Sequence, residues 1–215
     1  MEIGISQAQA DEATISFGWT PPEADPDRLR RCGIRTYEGN RIGPDYAWMV
    51  RRSEEVVKPL AERLLALAER AGANSPRQRV EVFASFVQSF RYHRSAEGRL
   101  SDGKQRMGVQ MPAETLFTRA GDCDSLSVLL VSLVRSAGTA KGCVILIDDV
   151  GGGHAMAAFE VEPRSKKDWS VTVRLRGAAE GRITFTVVET TAAGWRVGGA
   201  SPDYHGRYVR LDAIG

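Results

Sequence analysis

The sequence predicts an α+β fold, with helices first and an antiparallel sheet after them. Three observations carry the prediction. Apolar residues recur at helical spacing through Val56, Val57, Leu60, Leu64, Leu65 and Leu67, and again through Val80, Phe83, Phe86, Val87 and Phe90. The run DSLSVLLVSLVRSA at 124–137 is apolar on most faces, which suits a buried helix. Beyond Gly138 the period changes: Val171, Val173 and Leu175 alternate with Ser170, Thr172, Arg174 and Arg176, and Arg182 to Glu189 alternates too.

Each element follows in chain order. Residues 13–19, ATISFGW, read as a short strand, and residues 20–45, rich in Pro, Gly, Asp and Arg, as an irregular connection. Pro59 kinks the first helix or marks its start, and Ala71-Gly72-Ala73-Asn74 ends it. Ser75-Pro76 is an N-cap and first-turn pair that opens the second helix. Residues 95–108 are polar and contain glycine, which predicts a mobile loop. Pro112 opens a short helix through Thr118, Gly121 breaks it, and Gly138 stops the long apolar helix. Cys143–Ile147 and Ala155–Val161 read as buried strands, and RGAAEG at 176–181 suits a hairpin. There is no internal repeat and no low-complexity segment.

Composition narrows the function. The 215 residues suit one globular domain with an N-terminal extension. Hydrophobic residues are 42% and charged residues 26%, an ordinary balance for a chain with a real core. The net charge of +2, from 29 basic and 27 acidic residues, gives no general pull toward nucleic acid or anionic membrane. No apolar run approaches the roughly 18 residues of a membrane helix. The run MEIGISQAQADEATISF lacks the basic and apolar regions of a secretory leader. The three cysteines, Cys32, Cys123 and Cys143, leave at least one thiol free unless it pairs between chains. No two are close enough in sequence for a zinc site. A free thiol is easily kept in the cytosol, and a catalytic one is compatible with the periplasm.

Gly121-Asp122-Cys123-Asp124-Ser125 begins the buried helix. A thiol there feels the positive end of the helix dipole and unpaired N–H groups, which favour thiolate and can hold an oxyanion. Asp122 and Asp124 oppose this, so a cationic partner is needed. Of the three histidines, His154 follows Gly151-Gly152-Gly153 and starts a strand. The glycines permit close approach around the ring. Its second nitrogen then needs an acceptor to fix the tautomer. Glu189, at the end of the apolar strand Ile183–Val188, is placed to supply it.

GDCDSLSVLLVSLVRSAG, then GGGHAMAAFEV, then VVETTAAGWRVG resemble the transglutaminase-like cysteine peptidase superfamily over about residues 76–198. The upstream helix and GVQMPAETL also fit. The resemblance implies a papain-like, transglutaminase-like core in residues 76–215. A nucleophile-bearing helix there packs on an antiparallel sheet, and residues 1–75 form an extension of strand, loop and helix packing on it. It implies Cys123 as nucleophile, His154 as base and Glu189 as acid. The Glu-Thr-Thr setting departs from the more usual Asp-x-Thr. A side-chain oxyanion donor is expected upstream; Gln110 is the candidate and Gln88 the poorer one. The implied activity is a thiol peptidase or amidase acting on protein or peptide substrates without a cofactor. Acyl transfer to a lysine amine would use the same residues. A non-catalytic binding module is the third reading, and the intact Cys, His and acid set weighs against it. The loop 95–108 and Gly151–Gly153 are the segments expected to shape specificity.

The remaining candidates have plainer readings. Cys32 and Cys143 are structural, and Cys143 opens an apolar strand. His93 reads as a surface or helix-end residue and His205 as a turn residue. Tyr92 is core-facing by default, with a place lining the site as the alternative. Asp122 and Asp124 are far short of a calcium shell; one caps the helix and the other is solvated. Trp195 packs behind the acid strand.

Overall fold

A computed structural model describes residues 4–16, 31, 33–36, 42–94, 97–99, 105–147, 153–174, 182–204 and 208–214. The expectations for Cys32, His205, the 176–181 hairpin and Gly151–Gly152 lie outside these residues.

The first element is helix α1, Gln7–Ser16. It replaces the strand expected at 13–19 as far as Ser16; residues 17–19 lie outside the described set. Thr14 and Ile15 look strand-like, but the preceding alanines and Gln, Glu and Asp extend a helix through them. Strands β1 (Ile34–Thr36) and β2 (Ile42–Pro44) pair antiparallel, so the connection expected at 20–45 is not irregular throughout. Helix α2, Tyr46–Arg70, starts ten residues before the apolar repeat and contains Pro59. Asp45 caps it by accepting from the Trp48 amide at 2.9 Å. Helix α3, Pro76–Gln88, opens on a capping box between Ser75 and Gln78.

Three short strands follow: β3 (Arg91–Tyr92), β4 (Glu97–Arg99) and β5 (Gln105–Met107). The β4–β5 pair is antiparallel, so the segment 95–108 carries ladder structure where a loop was expected. Helix α4 is Pro112–Thr118, ending on Arg119 in the left-handed region at φ 51°. Strand β6, Ala120–Gly121, pairs parallel with β3. Helix α5, Cys123–Ser136, then carries the apolar run read as a buried helix. The last strands are β7 (Gly142–Ile147), β8 (His154–Phe159), β9 (Ser170–Arg174), β10 (Arg182–Val188) and β11 (Tyr208–Ile214).

The described structure is a mixed helix and sheet fold of the α+β class. The five last strands form one antiparallel sheet in the order β11-β7-β8-β10-β9. Helix α5 lies between α2 and the sheet. Leu126, Leu129, Leu130 and Leu133 are fully buried, which explains why its apolar residues circle the helix. Ala155, Ala157 and Phe159 of β8 face this core, whereas Met156 and Ala158 face a second cluster with Trp169 and Phe185 on the other side of the sheet. That is the period-two alternation of a strand covered on both faces. Where α5 approaches the sheet, Gly142 leaves room that a Cβ would fill, 2.9 Å from the Phe159 ring and 3.1 Å from Val131.

Candidate active site

Cys123 is the first residue of α5. Asp122 caps the helix: its Oδ1 accepts from the Ser125 amide at 3.0 Å and from Ser125 Oγ at 2.6 Å. Ser125 Oγ in turn accepts from the Gln110 amide at 2.9 Å. This buried chain joins the α4 approach to the helix start. Gly121 is required beside it, because a Cβ there would stand 2.9 Å from Ser125 Cβ and 3.2 Å from Thr115 Cγ2.

His154 heads β8. The β8–β10 register pairs Val188 with Ala157. Continued antiparallel, it sets Glu189 opposite Met156, on the same face as His154 and one pleat away. The side chains meet accordingly: His154 Nε2 and Glu189 Oε2 are 2.9 Å apart. The other carboxylate oxygen accepts from the Thr190 and Thr191 amides at 2.8 and 2.9 Å and from Thr191 Oγ1 at 2.8 Å. Glu189 is only 3% exposed. Burial pushes its carboxyl up, but the His154 hydrogen bond and charge and the Thr191 donors outweigh this and hold it below its ordinary value. Tyr204 stacks on the imidazole with centroids 4.7 Å apart and planes 19° apart.

Glu189 is fixed from behind. Gln88 Nε2 donates to the Glu189 carbonyl at 2.7 Å and the Trp195 carbonyl at 2.8 Å. Ser127 Oγ donates to the Ala155 carbonyl and lies beside Thr190 Oγ1, both at 3.2 Å. Gln88 therefore clamps the acid loop, and its amide is taken. Gln110 is buried beside Gly121, and Thr115 Oγ1 lies 3.5 Å from its Oε1.

The Cys123 sulfur lies against β8, where the Ala155 and Asp124 backbone amides favour its thiolate. They do not prevail. Burial, followed by the charge of Asp124 and then of Asp122, pushes the thiol up to about 12. The helix-start position thus does not yield a resting thiolate. The dipole acts over the first turn in water-accessible settings, and here the cost of desolvating an anion is greater. The side-chain hydrogen-bond contact of Sγ among the described residues is Asp124 Oδ2, at 3.8 Å, and not His154.

Of the two acids, one expected to cap and the other to be solvated, Asp122 is the cap, and Asp124 is not fully solvated. Asp124 is half-buried, and its Oδ1 accepts from Tyr46 Oη at 2.5 Å. Burial raises its carboxyl above the ordinary value, against the Tyr46 hydrogen bond and the His154 charge. Tyr92 is exposed rather than core-facing, and the Cys123 charge raises its phenol after burial does. It borders the thiol because β3 pairs Tyr92 with Gly121 and the His93 amide donates to the Gly121 carbonyl at 2.9 Å. His93 is exposed and Cys143 fully buried, as expected. Trp195 is 36% exposed, so its anchoring group is its carbonyl rather than its ring.

Among the described residues no cluster of His, Cys, Asp and Glu could hold a metal ion, and no helix is long and apolar enough to cross a membrane. A cleft of about 810 Å³ is lined by α3 residues Pro76–Gln78 and by residues 160–164 and 182–184, away from Cys123.

No protein-family profile matches the chain, and no curated protein matches it significantly. Among solved structures it is similar to Legionella pneumophila LapG. The EGTA-treated form matches with a TM-score of 0.40 and 13% identity, over 61% of this chain and 60% of that one. A second structure of Legionella pneumophila LapG matches with a TM-score of 0.38 and 15% identity over the same shares. The calcium-bound form matches with a TM-score of 0.36 and 11% identity, over 69% of this chain and 80% of that one. The match thus spans less than two thirds of the first two LapG chains.

Proposed function

We propose that the chain is a transglutaminase-like thiol hydrolase, a peptidase or amidase acting on protein or peptide amides. The observation that carries this reading is the His154 Nε2 to Glu189 Oε2 contact of 2.9 Å, on the strand against which the Cys123 thiol lies. With Nε2 engaged by the carboxylate, Nδ1 is the nitrogen left for the thiol. Because the resting thiol is held protonated, His154 acts as general base during attack rather than as half of a standing ion pair.

In this mechanism Sγ bonds to the substrate carbonyl carbon as its proton passes to His154. The Cys123 amide and the Gln110 side chain receive the oxyanion. Gln110 suits that role by its burial beside Gly121, two residues before the nucleophile. The imidazolium, stabilised by Glu189, protonates the leaving amine, and the C–N bond breaks to leave a thioester. Water, deprotonated by His154, then releases the acid and regenerates the thiol. No cofactor enters these steps.

The test is site-mapped iodoacetamide labelling across pH, with peptide hydrolysis measured in parallel. Labelling of Cys123 near neutral pH should fall in His154→Ala, and hydrolysis should vanish in Cys123→Ala. Labelling of Cys123 unaffected by His154→Ala, or hydrolysis surviving Cys123→Ala, would overturn the assignment.

A further inference from the structure

We infer that Asp124, tethered by Tyr46, is a brake that holds the Cys123 thiol in its unreactive protonated form. The inference rests on Cys123 being the nucleophile. It concerns what restrains that nucleophile, which the Cys, His and acid set does not address.

The geometry assigns each carboxylate oxygen of Asp124 a separate task. Oδ1 accepts a 2.5 Å hydrogen bond from Tyr46 Oη. Oδ2 faces Cys123 Sγ at 3.8 Å, within reach of the thiol proton. Tyr46 is the first residue of α2 and is 4% exposed, so the phenol is fixed by the core rather than by the site. The thiol proton therefore has an acceptor other than His154. While Asp124 is ionised, its charge also opposes the thiolate.

The groups facing the thiol come from four directions. Asp122 and Asp124 lie on its own helix turn and Tyr92 on β3. His154 heads β8 and acts on Asp124 electrostatically. Tyr46 reaches from α2 through Asp124. Asp124 has the largest effect of any charge on the thiol. Asp122 is committed to the cap.

The brake operates only where Asp124 is ionised. Burial raises its carboxyl, so the restraint sets in above the ordinary carboxylate range and strengthens as pH rises. If Asp124→Asn lowers the thiol by one pKa unit, thiolate rises tenfold, while intrinsic nucleophilicity falls about threefold. The net gain is about threefold for each such unit.

The experiment measures the Cys123 labelling rate from pH 6 to 10 in wild type, Asp124→Asn, Tyr46→Phe and the double variant, with near-UV circular dichroism as the check on folding. The ratio of Asp124→Asn to wild type should climb with pH to about threefold or more. Tyr46→Phe should alter the rate where Asp124 is present and leave it unchanged in the Asp124→Asn background. A flat ratio near one in a folded Asp124→Asn protein would overturn the brake. So would a Tyr46→Phe effect of equal size in both backgrounds. Should Asp124→Asn fail to fold, Asp124→Ser is measured in its place under the same criteria. Loss of the His154→Ala effect with the Asp124 effect intact would instead sink the functional reading and leave the brake standing.

Discussion

Glu189 shows how a single side chain can be specified by its acceptor capacity. An ionised carboxylate offers about four acceptor positions. Here two backbone amides, one hydroxyl and one imidazole nitrogen converge on it. Glutamine at this position keeps the volume but loses the charge that, in the proposed mechanism, stabilises the imidazolium. Glu189→Gln should therefore lower the rate of peptide hydrolysis by about 10² to 10⁴-fold, the scale on which loss of an orienting carboxylate acts elsewhere. Stability carries a second signature. A carboxyl held below its ordinary value of 4.5 contributes stability that is present above the unfolded pKa and lost as pH falls through the folded one. The Tm advantage of wild type over Glu189→Gln should thus be full near pH 7 and shrink below pH 4.5. Thermal melts across that range check it, and a constant difference would show that the carboxylate is not the stabilising species.

Elements were legible where the pattern was local and long. The cap at Ser75, the proline at the start of α4 and the circling apolar residues of α5 each act within one or two turns, so their sequence signals survive folding; the cap of α5 was narrowed only to Asp122 or Asp124. The strands β3 and β6 carry two residues each, too few for any period to register. Gln88 is set apart by tertiary context. Nothing near it in sequence indicates that its amide spans two carbonyls about a hundred residues away. The Tyr46 to Asp124 contact crosses 78 positions and was equally unreadable. Cys123, His154 and Glu189 stood out as chemistry-bearing residues at element boundaries, but the resting charge of the thiol did not, because burial is a property of the folded whole. At Pro59 sequence and structure are in tension. It sits exposed inside α2, where proline costs about 3 kcal/mol against alanine. Its restriction of the unfolded chain returns about 0.4–1 kcal/mol. Pro59→Ala should raise unfolding stability by about 2 kcal/mol, read as a higher urea midpoint with an unchanged slope.

At the scale of the molecule, the position of α2 decides whether residues 1–75 can be separated from the rest. Met49, Val50, Val57, Leu60 and Leu64 are all buried in the same cluster as Leu126, Leu129, Leu130 and Leu133 of α5. Those five side chains represent about 8–15 kcal/mol of burial at 1.5–3 kcal/mol each, an upper bound since unfolded chains already bury some of this surface. Net domain stability is only about 5–15 kcal/mol. Removing α2 also takes away Tyr46, and with it the hydroxyl bonded to Asp124 beside Cys123. A chain cut to residues 76–215 should therefore show no cooperative thermal transition, while the whole chain should melt in one step with coincident near-UV and far-UV signals. Adding a peptide of residues 42–75 in trans should restore the near-UV signal if the truncated chain fails only for want of this helix. A cooperative transition in the truncated chain alone would mean that α5 can be covered without α2, and that the packing of α2 contributes little to the stability of the sheet and the helix that carry the site.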